Sequence, residues 1–131
     1  MKNVLFGLVA LLGLSGLVAV TAQETMMKVE SYAPYSAKAF AETSKLKRVL
    51  FFAASWCPSC RSADKDITDN IKLIPADTVI FKTDYDTETA LKTKYLVTRQ
   101  HTFVWVDAKG AVIKKWSGGG VSDVAKALGT K

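Results

Sequence analysis

The chain has 131 residues, 49% of them hydrophobic and 23% charged, with a formal net charge of +6. That profile suits one folded domain with its own core, and it excludes a collagen-like, disordered or polytopic membrane chain. The Lys and Arg are scattered, clustering only at Lys45-Leu46-Lys47-Arg48 and Lys114-Lys115. With no basic stripe interleaved with aromatics, the sequence speaks against nucleic-acid binding and for a solvated surface mildly attractive to anionic membranes or acidic partners.

Lys2 precedes an uncharged run from Val4 to Val20, and Val20-Thr21-Ala22 closes it with small residues of the kind a signal peptidase reads. A positive start, an apolar stretch and such an exit describe a secretory signal over residues 1–22. The run also approaches the ~18 to 20 apolar residues that span a bilayer, so an uncleaved signal-anchor, tethering through residues 4–20, is the alternative. Either reading places the domain, residues 23–131, outside the cytoplasm as a periplasmic, secreted or membrane-anchored protein.

Residues 23–34 read as a polar lead-in with a short strand near Met26 to Glu30. Ser36 is a helix cap, and the helix runs through Ala37, Phe40 and Ala41 to about Leu46. Val49-Leu50-Phe51-Phe52-Ala53-Ala54 is a short continuous apolar run of the kind found in a buried central strand. Ser55-Trp56-Cys57-Pro58 then turns the chain into a helix from about Cys57 to Ile74, with Pro58 at the first helical position, where a missing N–H costs nothing. A strand over Thr78 to Thr83 follows, then a helix from Thr87 to Tyr95 with Ala90, Leu91 and Tyr95 on one face. Thr102 to Val106 and Ala111 to Trp116 form a hairpin around Asp107-Ala108-Lys109-Gly110. After Gly118-Gly119-Gly120, Val121, Val124, Ala125 and Leu128 share one face of a last helix. The order α-β-α-β-α-β-β-α implies an α/β domain, a mixed central sheet flanked by helices on both faces. The two cysteines then sit at the C-terminal end of a central strand, where open α/β sheets place their sites.

Cys57 and Cys60 are the only cysteines in the chain. Three apart, they close too small a loop to act as a staple, so the spacing points to chemistry. Two sulfurs at i and i+3 on a first helical turn face the same side and can reach bonding distance. At the helix start, free N–H groups and the dipole favour a thiolate on Cys57, making it the attacking group on a disulfide, with Cys60 resolving the mixed disulfide. Trp56 offers a flat apolar contact for a peptide, Arg61 adds positive potential, and Pro58-Ser59 tune the pair. A bare C-x-x-C is also half a zinc site; following an apolar strand and opening a helix, it favours redox chemistry.

Phe51-Phe52-Ala53-Ala54-Ser55-Trp56-Cys57-Pro58-Ser59-Cys60-Arg61 resembles the active-site segment of the thioredoxin family. Phe81 to Asp86 and Tyr95-Leu96-Val97 resemble its third strand and the end of its third helix, and Gly110 and Gly118 stand where it has a hairpin turn and a glycine after the last strand. The resemblance covers roughly residues 30–129 and implies a thioredoxin-like fold and dithiol–disulfide exchange. Three departures stand out. The buried acid that the family commonly carries six residues before the first cysteine is Phe51 here. The helix-kinking proline is Lys65, and the cis-proline of a Pro-Thr pattern is His101, followed by Thr102.

His101 is the only histidine. The resemblance places it across from Cys57, where an imidazolium would stabilise the thiolate or donate a hydrogen bond to it. On this reading the fold accepts a proline at 101. A metal reading joins Cys57, Cys60 and His101 as three ligands, one short of the usual structural zinc set. Asp64, Asp66 and Asp69, and likewise Asp84 and Asp86, lack the spacing of a calcium loop and read as exposed faces and helix caps.

The sequence therefore describes an extracytoplasmic thiol–disulfide oxidoreductase with Cys57 and Cys60 catalytic and Trp56, Pro58, Ser59, His101 and Thr102 supporting. It needs no organic cofactor, since the cysteines carry the electrons. Its partners are protein thiols and disulfides and a redox partner that the sequence does not name. A metal-binding or metal-delivery module and a redox-inert interaction domain are the alternatives. Nothing in the residues sets whether it reduces or oxidises its substrates.

Overall fold

The computed structural model describes residue 16 and residues 29–130. Apart from residue 16, the expected signal or anchor segment therefore lies outside the described residues, as do residues 26–28 of the expected first strand. Among the described residues no helix is long and apolar enough to cross a membrane.

The elements are β1 (Tyr32–Pro34), α1 (Ala37–Glu42), β2 (Lys47–Ala53), α2 (Pro58–Asp69), a 3₁₀ turn (Ile71–Leu73), β3 (Thr78–Asp84), α3 (Thr89–Tyr95), β4 (Thr102–Val106), β5 (Val112–Ser117) and α4 (Val121–Ala127). They form a five-stranded sheet in the order β1-β3-β2-β4-β5, with β1, β3 and β2 parallel and β4 and β5 antiparallel. This is the expected mixed α/β sheet. Residues 29 and 30, the described end of the strand expected near Met26 to Glu30, are irregular, and the first described strand is Tyr32–Pro34, where Tyr32 and Ala33 register with Ile80 and Phe81 of β3.

Two helices end earlier than their composition suggests, each for a local reason. In α1, the Thr43 hydroxyl bonds back to the carbonyls of Ala39 and Phe40, and the chain turns before Leu46. Asn70 closes α2 by donating from its side chain to the carbonyl and carboxylate of Asp66, so the chain tightens into the 3₁₀ turn rather than continuing to Ile74. In α3, Leu91 and Tyr95 face the core as expected, whereas Ala90 is exposed.

Side chains alternate across β2, as the two-residue period of a strand requires. Val49, Phe51 and Ala53 join Ile80 and Phe103 on the face covered by α2 and α4, with Ala63, Ile67, Val121 and Val124. Leu50 and Phe52 join Val79, Phe81, Val104 and Val106 on the other face, under Tyr95, Leu91 and Phe40. Phe51, Phe103 and Trp116 form an aromatic ladder across three strands, with Phe51 opposite Phe103 in register and the rings 4.5 Å apart, and Phe103 opposite Trp116 with rings 5.3 Å apart. Phe51 thus does packing work that a carboxyl group there could not. Truncating a buried phenylalanine of this kind costs roughly 3–5 kcal/mol.

Candidate functional site

The site is built where β2 ends. Ala54 accepts the Cys57 N–H at 3.2 Å, closing the turn that carries Ser55 and Trp56, and Pro58 begins α2. Cys57 is the N-cap of that helix, and its Sγ accepts the Cys60 N–H at 3.2 Å. An N-cap acceptor satisfies one of the N–H groups left unpaired at a helix start, and an anionic acceptor gains further from the dipole. The same hydrogen bond is thus strongest when Cys57 is a thiolate.

Both thiols are free and buried, while Trp56, Pro58 and Ser59 beside them are exposed. Burial by itself pushes the Cys57 thiol up, but hydrogen bonds from the side chains and backbone of Cys60 and Ser59 outweigh it and hold Cys57 below the usual range. Cys60 is pushed up, by burial first and by the neighbouring Cys57 sulfur second. The pair is therefore divided into one thiol that ionises readily and one that does not, in the order expected from their places on the helix.

Trp56 stands out from the surface at 56% exposure, its indole Nε1 donating to Asp86 at 3.0 Å. Next to Ser59 a groove of about 560 Å³ is lined by Arg99, Gln100, His101, Ser117, Gly118 and Gly119 as well. Arg61 donates to the Ser55 carbonyl at 3.0 Å, bracing the turn. Thr102 is buried, its hydroxyl donating to the Arg99 carbonyl at 2.8 Å and lying 3.2 Å from Ser117 Oγ, so it holds the loop and offers no free group to a ligand.

His101 does lie beside the motif, though its ring does not hydrogen-bond either sulfur. Nδ1 is 2.9 Å from Ser59 Oγ, Nε2 is 2.8 Å from the Gly119 carbonyl, and it is Ser59 Oγ that reaches Cys57 Sγ at 3.3 Å. The described residues contain no cis peptide bond, and His101 has φ +56°. Its N–H donates to Phe52 at 2.8 Å and its carbonyl accepts the Gly118 N–H at 2.8 Å. The loop is thus a left-handed histidine clamped by two backbone bonds, which proline can reproduce in neither dihedral nor donor. That corrects the expectation that the fold accepts a proline at 101.

The metal alternative finds no support. Among the described residues no group of three or more His, Cys, Asp and Glu side chains is placed to hold a metal ion, and both ring nitrogens of His101 are engaged elsewhere.

The aspartates diverge. Asp64 pairs with Lys82 at 2.8 Å and accepts from Tyr32 at 2.6 Å, Asp66 accepts the Val121 N–H at the start of α4 at 2.8 Å, and Asp69 pairs with Lys65. A cavity of about 300 Å³ lined by Ala54, Cys60, Arg61, Asp64, Lys82 and Asp84 opens beside the second cysteine. Sequence reasoning missed this cavity. The available signal was the i, i+4 spacing of Cys60 and Asp64, which puts them on one helix face.

The family described as Thioredoxin matches residues 25–128. Thioredoxin H4 of Arabidopsis thaliana is 34% identical over 83 residues, 63% of this chain and 68% of that protein. Among solved structures, Trxlp from Edwardsiella tarda superposes with a TM-score of 0.64 at 25% identity, covering 77% of this chain and all of that one. Fasciola hepatica thioredoxin gives a TM-score of 0.60 at 27% identity over 70% of this chain and 86% of that one. With a buried dithiol at the head of α2 and a family match that spans nearly the whole domain, the chain belongs to the thioredoxin family of thiol–disulfide oxidoreductases.

Proposed function

We propose that this protein exchanges disulfides with protein substrates outside the cytoplasm, with Cys57 as the attacking thiol and Cys60 as the resolving one. The observation that carries the reading is the Cys57 sulfur at the N-cap of α2, accepting the Cys60 N–H. In the reducing direction the Cys57 thiolate attacks one sulfur of a partner disulfide, forming a mixed disulfide and releasing the other partner sulfur as a thiolate. Cys60, losing its proton, attacks Cys57 Sγ and expels the second partner thiol. Two electrons pass to the partner, and Cys57–Cys60 is left as a disulfide; the oxidising direction is the reverse.

The groove beside Ser59 and His101 and the exposed Trp56 next to Cys57 support docking of an extended peptide across Cys57. Because the His101 N–H is already donated to Phe52, that peptide finds no backbone donor at residue 101. The extracytoplasmic placement rests on the sequence from Lys2 to Ala22.

Thiol trapping tests the chemistry: the Cys60→Ser protein accumulates mixed disulfides with partners, and Cys57→Ser does not. Equal trapping by both, or by neither, overturns the assignment. Fractionation tests the location. Protein outside the cytoplasm, with an N-terminus at Gln23 after cleavage or at Met1 if anchored, is expected, and full-length soluble cytoplasmic protein contradicts it.

A further inference from the structure

The hydrogen-bond chain from His101 to Cys57 constrains where protons sit. The Gly119 carbonyl can only accept, so His101 Nε2, 2.8 Å away, carries a hydrogen. That carbonyl is held in place: Gly118 and Gly119 have φ of +82° and +87°, and a side chain at Gly119 would collide with Asp123. Nδ1 is therefore the ring position left to gain or lose a proton, and it faces Ser59 Oγ at 2.9 Å. Beneath the ring the Phe51 and Phe103 rings lie at 5.8 and 5.9 Å between centroids, an apolar floor with no competing partner.

A hydroxyl has one hydrogen, so Ser59 can donate to Nδ1 or to Cys57 Sγ, and not to both. Two arrangements satisfy every group. In one, the Cys57 thiol donates to Ser59 Oγ and Ser59 donates to a neutral His101. In the other, His101 Nδ1–H donates to Ser59 Oγ and Ser59 donates to a Cys57 thiolate. They differ by one proton displaced along two hydrogen bonds, with every heavy atom in place.

We propose that Ser59 relays a proton between Cys57 and His101, so that His101 holds the proton that Cys57 gives up on becoming nucleophilic. The S–H bond of Cys57 breaks as an O–H bond forms on Ser59, and the original O–H bond of Ser59 breaks as the Nδ1–H bond forms. No electron is exchanged, and the net charge of the trio stays constant. His101 is a positioning residue, acting on the sulfur through Ser59. Ser59 is among the donors that hold the Cys57 thiol down. The titratable and charged groups around the imidazole are Cys57 and Cys60 of α2, Arg99 of its own loop, and Asp123 and Asp66 behind the Gly119–Gly120 turn. The inference rests on Cys57 being the attacking thiol.

The test follows thiolate absorbance and Cys57 alkylation against pH in the reduced full-length protein and in Ser59→Ala, Ser59→Thr, His101→Gln and the double variant Ser59→Ala/His101→Gln. Ser59→Ala slows alkylation of Cys57 at mildly acidic pH by about threefold for each pKa unit gained, the roughly tenfold loss of thiolate being partly offset by its greater nucleophilicity. Ser59→Thr restores the rate, His101→Gln slows alkylation to a similar extent, and the double variant is no slower than either single change. Overlapping curves for wild type and Ser59→Ala, or additive losses in the double variant, overturn the relay. These measurements need no substrate, so they fail or succeed independently of the trapping experiment that tests the exchange reaction itself.

Discussion

The Asp64 carboxylate of α2 grips the Lys82 ammonium of β3 at 2.8 Å, pinning helix to sheet beside Cys60. Partial burial pushes the carboxyl up, but Lys82 and the Tyr32 hydroxyl outweigh that and hold it below the usual carboxylate range. A carboxyl depressed in the folded state contributes stability that is present above its unfolded pKa and lost as pH falls through the folded value. Asp64→Asn is expected to cost about 1 kcal/mol at neutral pH, the pair being partly solvent-screened. The difference from wild type should vanish in acid. Denaturant melts at several pH values check this; a gap that persists below the carboxylate range refutes the ion-pair account.

Cys57 and Cys60 should alkylate at very different rates. With Cys57 held down and Cys60 raised, an iodoacetamide time course read by peptide mass at mildly acidic pH should label Cys57 first, by about threefold for each pKa unit between them, the roughly tenfold gain in thiolate being partly offset by its lower nucleophilicity. As pH rises the ratio falls, because Cys60 begins to ionise. Faster labelling of Cys60 would reverse the assignment of roles.

Arg48 is a structural cation in the half of the molecule away from the site. It is buried, donating to the carbonyls of Phe40 at 2.7 Å and Asp107 at 2.6 Å, and its guanidinium lies 4.1 Å from the centre of the Phe40 ring. It ties α1 and the β4–β5 turn to β2. Arg48→Ala should cost about 3 kcal/mol, with hydrogen bonds to a charged donor worth ~1.5–3 kcal/mol each before compensation. Arg48→Lys should recover less than half, since an ammonium cannot span both carbonyls with a planar fork. Calorimetry on the three proteins decides it, and a Lys variant as stable as wild type would contradict the bidentate role.

His101→Pro should destabilise the fold by about 3 kcal/mol, because it removes the N–H donated to Phe52 and demands a φ near −65° where the chain has +56°. His101→Gly should stay within about 1 kcal/mol of wild type, since relief of the left-handed backbone offsets lost ring contacts. Thermal melts of both compare the two effects. A stable proline variant would show that the loop can be rebuilt around a different peptide geometry.

Much of this protein was legible in its residues because the signals are local. The apolar run Val49 to Ala54, the proline after Cys57, the Asp107–Gly110 turn and the spacing of Val121, Val124 and Leu128 each encode one element through periodicity or turn chemistry, and the C-x-x-C at a strand-to-helix junction encodes its own redox use. Helix ends were less legible: Thr43 and Asn70 stop their helices through side-chain bonds to the preceding turn, a competition that apolar spacing does not register. Charge runs were ambiguous for a different reason. Asp64, Asp66 and Asp69 are neighbours in sequence, yet they pair with Lys82, the start of α4 and Lys65, because helical rotation sends them to different surroundings. The tertiary structure alone decided what His101 touches. Ser59 and Gly119 come to the imidazole from α2 and from the turn before α4 only after the sheet has aligned β2, β4 and β5, and that closure turned an expected contact with Cys57 into one made through a serine hydroxyl.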